Sequence, residues 1–276
     1  MIGSIKAEWR KLAHRPANMI AVGGLLAVVV LIYSVGYIEY TWPVASQAAR
    51  AALLKQGLYP GGLVKNLIDG VMPLGAAMTL VLGALATGGE YGWGTLKTVL
   101  TQGPGRIQTL VAKLVVAALG VALVTALFYS AGAIASMTVA GIDGHAIAWP
   151  ATIDVAKALG ATWLILYCFG LLGMALGFVF RQSAAAVGIG LVYLVVVETI
   201  LSRFIIGFHG GDYRWIAKGL SGANATALVQ SFGQIIVDPR AAAPLVGGTH
   251  AVVTLGAYAV ALALVSATLL RWRDVH

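Results

Sequence analysis

Long apolar runs separated by short polar stretches make up most of this chain. Several runs reach the roughly 20 apolar residues with which an α-helix crosses a hydrocarbon core about 30 Å thick. They predict six membrane-spanning helices, at 19–37, 70–88, 114–140, 155–180, 184–207 and 251–270. The first run is too long for the apolar region of a signal peptide, which is the competing interpretation. The pattern therefore predicts an all-α, polytopic membrane protein in which residues 1–276 form a single transmembrane domain.

A short amphipathic segment precedes the first apolar run. Four apolar residues recur at helical spacing, and charged side chains fill the opposite face. The apolar members are Ile2, Ile5, Trp9 and Leu12. A basic amphipathic helix of this kind lies in the plane of the membrane interface. Since Pro16 would end it, residues 1–16 are predicted to form an interfacial helix.

Residues 89–113 turn polar and basic between the second and third apolar runs. Apolar residues at helical spacing lie on both sides of a break at Gly103-Pro104-Gly105. Those before the break are Leu96, Val99 and Leu100, and those after it are Ile107, Leu110 and Val111. The pattern predicts two short amphipathic segments joined by a helix breaker. An ordinary basic cytoplasmic loop is the alternative.

Three further features subdivide the second half of the chain. Gly173 and Gly177 form a small-xxx-small pair, which favours close helix contact. A three-residue polar break, Arg181 to Ser183, separates the fourth and fifth spans. Residues 208–249 are mildly apolar and rich in Gly, Ser and Ala, so they are predicted to form an outer segment with short, re-entrant helices.

Composition agrees with a membrane location. The 276 residues are 59% hydrophobic and only 10% charged, which is too little charge to cover a soluble domain of this size. The net charge of +8 would suggest nucleic acid as a partner in a soluble protein. Here the basic residues lie at the ends of apolar runs, so no nucleic-acid partner is expected.

The distribution of charge predicts the orientation. With six spans, both termini, residues 89–113 and the Arg181 break lie on one side, with ten Lys and Arg residues against three acids. The other side has eight basic residues against seven acids. The positive-inside rule therefore places both termini in the cytoplasm of a multi-pass protein of the cell membrane.

The sequence lacks the patterns of common catalytic sites. No Gly-x-x-x-x-Gly-Lys-Ser/Thr motif is present, so the chain is not expected to hydrolyse ATP, and the five histidines have no second ligand at metal-binding spacing. Ser221, in Gly219-Leu-Ser-Gly222, resembles the serine turn of intramembrane proteases. It lies in a polar connection rather than an apolar run, so a loop serine is the favoured interpretation.

Glu198 is the one carboxylate inside an apolar run. An intramembrane acid is a candidate proton relay or part of a substrate route. Counting from Arg181 at about 1.5 Å per residue places Glu198 roughly 25 Å along its helix, close to the outer interface. The alternative is an interfacial carboxylate that reaches water or pairs with Arg203.

Together these features resemble a membrane subunit of an ATP-binding-cassette exporter, of the ABC type 2 permease family, over the whole length of the chain. The N-terminal Glu8-Trp9-Arg10-Lys11-Leu12 helix and six spans are typical of that family. The most specific part is an acid followed by Gly-Thr-Leu, then Pro and Arg, then a Lys before the third span. The corresponding residues here are Glu90, Gly94-Thr95-Leu96, Pro104, Arg106 and Lys113.

The resemblance implies a role for each cytoplasmic piece. Trp9, Arg10 and Lys11 would belong to a connecting helix along the inner leaflet, and 90–102 would be the main coupling helix. Arg181 would make a smaller contact, and Glu198 matches an acid often found in the fifth span. The implied interface with a nucleotide-binding subunit comprises Glu90, Gly94, Thr95, Leu96, Lys97, Leu100, Arg106 and Arg181.

The function that the resemblance implies is export powered by a separate cytoplasmic ATPase subunit, which would hold ATP and Mg²⁺. The permease would pair with a second permease chain, identical or similar, within membrane lipid. The presumed pathway along the second and fifth spans is apolar, which favours an amphipathic or lipid-like substrate such as a drug, peptide antibiotic or lipid. The alternatives are a proton-coupled secondary transporter using Glu198, an intramembrane protease, and a scaffold or immunity protein without transport.

Overall fold

The computed structural model describes residues 1–43, 48–95, 98, 105–198, 200, 214–233 and 244–272. Within these ranges the chain forms helices and no strands. The helices are α1 (Ile2–His14), α2 (Pro16–Thr41), α3 (Ala48–Leu58), α4 (Leu63–Asp69), α5 (Ala76–Gly92), α6 (Arg106–Ile142), α7 (Thr152–Phe180), α8 (Ser183–Val192), α9 (Arg214–Ala217), α10 (Ser221–Gln230) and α11 (Gly248–Trp272). A 3₁₀ turn spans Pro60–Gly62, and π-helical turns at Val71–Gly75 and Tyr193–Val197 extend α5 and α8.

Five helices in the described part of the chain are long and apolar enough to cross a membrane. They are Pro16–Thr41, Val71–Gly92, Arg106–Ile142, Thr152–Phe180 and Gly248–Trp272, which correspond to the predicted spans one to four and six. The described part of the fifth predicted span is a shorter apolar helix, Ser183–Val197. The chain is thus an all-helical, multi-pass membrane protein.

The predicted breaks between helices are confirmed at two places. Helix α1 ends at His14, Arg15 is extended, and Pro16 begins α2. Helix α7 ends at Phe180, where Arg181 adopts a left-handed conformation with φ of 53° before α8 starts at Ser183. In both places the chain turns between two helices without a long loop.

The prediction for the second half of 89–113 is wrong. Ile107, Leu110 and Val111 do not form a separate amphipathic segment but lie in the first turns of α6, a continuous helix of 37 residues. At about 1.5 Å per residue it is roughly 55 Å long, so it extends well beyond a hydrocarbon core. The first half, with Leu96, Val99 and Leu100, lies outside the described residues.

Helices α5 and α7 pack closely because glycines line their interface. A Cβ atom on Gly173 would collide with the carbonyl oxygen of Leu80, and one on Gly83 with the carbonyl oxygen of Gly170. The side chain of Thr87, which lies against Gly177, also donates a hydrogen bond across the interface to the carbonyl oxygen of Met174 at 3.0 Å. The close contact predicted for Gly173 and Gly177 is confirmed.

Residues 39–69, for which the sequence predicts no fold, and the outer segment at 208–249 both contain short helices. Helices α3 and α4 lie in 39–69, and α4 buries Leu67 and Ile68 completely. Helices α9 and α10 are the described helices of the outer segment at 208–249. Near α3, the hydroxyl groups of Tyr40 and Tyr59 both donate to a carboxylate oxygen of Asp143, at 2.6 and 2.9 Å, which ties α2 and the α3–α4 region to the end of α6.

Candidate functional site

Charged side chains from three helices meet where α1, the end of α5 and the start of α6 come together. Glu8 and Lys11 lie one turn apart on α1, and Arg15 follows that helix. Glu90 lies in the last turn of α5, and Lys113 lies two turns into α6. These five residues are called the charged junction below. Leu12 lies against Gly120 of α6 and helps to fix α1 in place.

The charges alternate through the junction. The ammonium nitrogen of Lys113 lies 2.6 Å from Oε1 of Glu90 and 2.9 Å from Oε2 of Glu8. The ammonium nitrogen of Lys11 lies 2.8 Å from Glu8 Oε1 and 3.1 Å from Glu90 Oε1. Arg15 is the most distant member, with 3.8 Å between its Nη2 and Glu90 Oε1. Each carboxylate therefore binds both lysines.

Burial makes these ion pairs energetically important. The side chains of Glu90 and Lys113 are only 2% and 3% exposed. Burial by itself raises the pKa of the Glu8 carboxyl, but the adjacent Lys113 and Lys11 outweigh it, and the net pKa lies below its usual value. Burial likewise lowers the pKa of Lys11, yet Glu8 and Glu90 raise the net pKa above its usual value. Glu8 and Lys11 are thus charged at neutral pH in the arrangement described.

Removal of Glu90 would leave the buried Lys113 with one carboxylate partner, Glu8, instead of two, which is costly for a buried charge. Because the members come from three elements, the pairs fix α1, α5 and α6 relative to one another. The arrangement forms a rigid junction that can transmit a displacement of one helix end to the other two.

The chain turns immediately after this junction. Gly94 has φ of +65°, which glycine adopts without steric cost, and it follows the end of α5. The hydroxyl of Thr95 donates to the carbonyl oxygen of Glu90 at 3.4 Å. Gly94 and Thr95 therefore hold the first turn after Glu90. Leu96, Lys97 and Leu100, also predicted for the ATPase interface, lie outside the described residues.

Arg106 and Arg181, the other described residues predicted for the ATPase interface, contact different parts of the structure. Arg106 donates from Nη1 to the carbonyl oxygens of Leu270 and Arg271, at 3.3 and 3.2 Å, at the end of α11. The guanidinium of Arg181 lies 5.9 Å from the ring centre of Tyr91, the residue after Glu90. The structure thus brings Lys11 to Glu90 and Arg181 to the residue beside it, but places Arg106 against α11.

Trp9, Arg10 and Lys11 were predicted together as the connecting helix, but of these three only Lys11 belongs to the charged junction. Trp9 is 36% exposed and Arg10 is exposed, so neither belongs to the buried part of the junction. The functional role predicted for Trp9 and Arg10 stays a prediction.

Glu198 belongs to a second buried polar cluster, formed where the π-helical turn after α8 meets α10. The Ser221 hydroxyl donates to Glu198 Oε1 at 2.5 Å and lies 3.1 Å from the Tyr193 hydroxyl. Glu198 is 5% exposed, and a Cβ atom on Gly222 would collide with its carboxylate. The interpretation of Glu198 as a carboxylate that reaches water is therefore wrong. Arg203, its other suggested partner, lies outside the described residues.

Ser221 is likewise not the loop serine that its polar surroundings suggested. It begins α10, is 3% exposed, and directs its hydroxyl at Glu198. His250, the other residue noted for a protease, is exposed near the start of α11. The arrangement is a buried hydrogen-bonded pair of serine and carboxylate.

Sequence reasoning missed several partners. The sequence does not single out Arg15 as a partner of Glu90, and Glu8 and Lys113 stand out only within the family pattern. The i, i+3 spacing of Glu8 and Lys11 is the local signal that could have suggested a pair. No local signal relates Ser221 to Glu198, because 23 residues separate them and the contact depends on how α10 packs.

The fold and the charged junction define the class: a multi-pass membrane protein whose first helix, α1, is tied by buried ion pairs to the adjacent ends of two candidate spans, α5 and α6. The family described as ABC-2 family transporter protein matches residues 4–197, which extend from α1 through the π-helical turn after α8. The chain belongs to this family and is an ABC-type permease, as the sequence pattern around Glu90 indicated. A search of curated proteins finds no match.

Proposed function

We propose that this chain is the membrane-spanning subunit of an ATP-driven exporter in the cell membrane, with both termini in the cytoplasm. A separate cytoplasmic ATPase subunit, which holds ATP and Mg²⁺, powers it. Two ATPase subunits serve a pair of permease chains, either identical or similar. The observation that supports this best is the charged junction at the base of α1, α5 and α6.

The junction suits the transmission of force. A segment that docks on the ATPase would follow α5 directly, since the turn at Gly94 and Thr95 starts within five residues of Glu90. Because Glu90 is ion-paired to α1 and α6, movement of the docking segment displaces three helix ends together. Rigid displacement of packed helices is a common way to convert closure of one partner into rearrangement of another.

The proposed cargo is an amphipathic or lipid-like molecule, such as a drug, peptide antibiotic or lipid, moved out of the cytoplasm. The proposed pathway lies between two permease chains along α5 and α8. Helix α8 and the π-helical turn after it support this placement because they present exposed apolar side chains, including Val192 and Val195, which are 53% and 56% exposed. Such a face suits contact with lipid, an apolar cargo or a second chain.

The second candidate is a proton-coupled secondary transporter that uses Glu198. Its support is the burial of that carboxylate among Ser221, Tyr193 and Gly222. A carrier of this type usually needs more than one buried ionisable group along its path. The carboxylates of the charged junction are ion-paired at the opposite end of the fold, so ATP-driven export is the better supported function.

The first experiment is purification of the tagged chain from its native host in mild detergent, followed by mass spectrometry of the co-purifying proteins. ATP-driven export requires a stoichiometric soluble partner with a Gly-x-x-x-x-Gly-Lys-Ser/Thr motif. A homo-oligomer without such a partner, whose transport in vesicles follows the proton gradient, would overturn the proposal in favour of the carrier.

A further inference from the structure

The charged junction closes one end of an apolar cleft. Helix α5 packs mainly on α7, whereas α6 packs on α1, α2 and α7, so α5 and α6 diverge above the junction. The space between them forms a cavity of about 150 Å³. Its walls are apolar side chains from α2, α5, α6 and α7, including Leu25, Leu82, Val116, Val121, Leu166 and Met174.

The polar side chains that reach the cleft are concentrated at its α1 end. Glu8, Lys11, Arg15, Asn18 and Lys113 line that end. The amide of Asn18 donates to the carbonyl oxygen of Leu12, so this side chain is already engaged in holding α1. The cleft thus has an apolar body and a cationic mouth beside an amphipathic helix of the kind that lies at the headgroup level of a membrane.

Water is a poor occupant of such a cavity. A buried water typically makes two to four hydrogen bonds, and the apolar walls of the cleft offer few partners for them. Several lining residues, including Leu82, Ala86, Ala117 and Val121, are only partly buried, so the cleft is accessible from outside the helix bundle. A hydrocarbon chain matches the walls of this cavity.

The mouth favours a negative headgroup. The junction has three cations, Lys11, Arg15 and Lys113, against two carboxylates, which leaves one excess positive charge. Arg15 is the natural partner for an added anion, because it is 24% exposed and its nearest carboxylate oxygen in the junction is 3.8 Å away. Anionic lipids of the cytoplasmic leaflet bind clusters of basic side chains at this level.

We propose that the cleft is a binding site for one anionic phospholipid of the cytoplasmic leaflet. Part of one acyl chain occupies the space between α5 and α6, and the phosphate binds Arg15 and Lys11. The lipid would bridge the interfacial helix and α5 next to Glu90. It is distinct from the cargo pathway proposed along α5 and α8, and the site does not depend on the presence of the ATPase.

The test compares lipid retention by the full chain reconstituted in phosphatidylglycerol or phosphatidylcholine bilayers and extracted in mild detergent. Native mass spectrometry then counts the bound lipid. The wild-type chain is expected to retain about one phosphatidylglycerol and at least about fivefold less phosphatidylcholine, since one basic side chain near a membrane contributes on that order of selectivity. Equal retention of the two lipids would overturn the proposal.

Two substitutions and a matched control locate the site. Ala117→Trp fills the cleft and should reduce retention of phosphatidylglycerol about fivefold or more, whereas Ala122→Trp, on an exposed face of the same helix, should retain it as the wild type does. Arg15→Gln leaves the cavity open and should abolish the preference for phosphatidylglycerol. Undiminished retention by Ala117→Trp, or a preference unchanged by Arg15→Gln, would contradict the assignment.

A second copy of the chain is the other possible occupant. Cysteine cross-linking between chains at Ala86 would then be efficient and would compete with lipid. That result would also overturn the proposal, independently of whether the Ala117→Trp variant folds.

Discussion

The ammonium nitrogen of Lys113 lies 2.6 Å from a carboxylate oxygen of Glu90, and both side chains are almost completely buried. The two residues are 23 positions apart and lie on different helices. Lys11 binds the same oxygen of Glu90 at 3.1 Å, so the pair extends to α1. The base of the permease is therefore held by a shared carboxylate rather than by apolar packing alone.

Glu90→Gln should destabilise the chain by about 3 kcal/mol, because the buried Lys113 loses one of its two carboxylate partners and keeps only Glu8. Thermal unfolding in detergent measures the change. Adding Lys113→Met to Glu90→Gln should recover a large part of the loss, and Glu39→Gln, an exposed glutamate paired with Arg50 at 3.7 Å, should have little effect. Simple additivity of the two junction substitutions would show that the pair is not energetically coupled.

The same Glu90→Gln variant tests the proposed coupling. With the ATPase bound, substrate-stimulated ATP hydrolysis should fall about tenfold, within the range of typical coupling energies, while the complex still assembles. The measurement is ATPase activity of the reconstituted complex with and without substrate. Wild-type stimulation in a correctly assembled complex would remove Glu90 from the coupling route.

Gly173→Leu should separate α5 and α7, because even a Cβ atom there collides with the carbonyl oxygen of Leu80. Overpacking costs about 1–3 kcal/mol, and a collision with backbone should reach the upper end of that range. Gly160→Leu on the same helix is the control, since a Cβ atom at Gly160 meets nothing within 4 Å. Equal thermal stability of the two variants would contradict the close packing of α5 and α7.

Ser221→Ala removes the hydroxyl that donates to Glu198 and should cost about 1–3 kcal/mol, because the buried carboxylate loses a hydrogen bond. Ser231→Ala, at an exposed serine that donates to the carbonyl oxygen of Leu228, should cost less. Unfolding in detergent provides the comparison. If Ser221→Ala had no more effect than Ser231→Ala, the 2.5 Å hydrogen bond would not contribute to stability.

The contribution of Glu8 to the stability of the folded chain should be lost on acidification. The pKa of Glu8 is lowered in the folded chain, so its contribution to stability is present above its usual value of 4.5 and is lost as the pH falls through the lower folded pKa. The difference in melting temperature between the wild type and Glu8→Gln should therefore be constant near neutral pH and shrink below pH 4.5. A difference that grows on acidification would contradict the assignment of charge.

The contribution of Lys11 to stability depends on pH in the opposite direction to that of Glu8. Its pKa is raised, so its contribution is present below the usual value of 10.5 and is lost only as the pH rises through the higher folded pKa. The stability difference between the wild type and Lys11→Met should therefore persist across neutral and mildly alkaline pH. Loss of that difference near pH 8 would show that Lys11 is not held by the two carboxylates.

Local sequence predicted the helices well where a single physical cause dominates. Long apolar runs gave the positions of five described spans, and Pro16 and Arg181 marked the breaks that the structure has at α1–α2 and α7–α8. The start of α6 differs from the prediction, because the amphipathic pattern near Ile107 indicates a separate element, whereas the helix runs without a break from Arg106. Hydropathy identifies where a chain is buried in lipid, not where a helix begins in water.

The hydrogen-bond and ion-pair partners of Glu90 and Glu198 could not be predicted from local sequence. Glu90 and Glu198 stood out because carboxylates are rare in such a chain, but their surroundings depend on contacts across 23 residues in both cases. The interpretation of Ser221 as a loop residue failed for the same reason. Its neighbours in sequence are polar, whereas its neighbours in space are Glu198 and Tyr193.

The sequence by itself determined that this is a helical, multi-pass membrane protein of the ABC type 2 permease family, because apolar run length and a short motif around Glu90 are local properties. Only the tertiary structure decided that Glu90 is shared by Lys11 and Lys113, that Arg106 binds the end of α11, and that α5 and α6 diverge around an apolar cleft. These features depend on how helices pack. Packing is set by small residues such as Gly83 and Gly173 acting in pairs across the interface, which no single stretch of sequence contains.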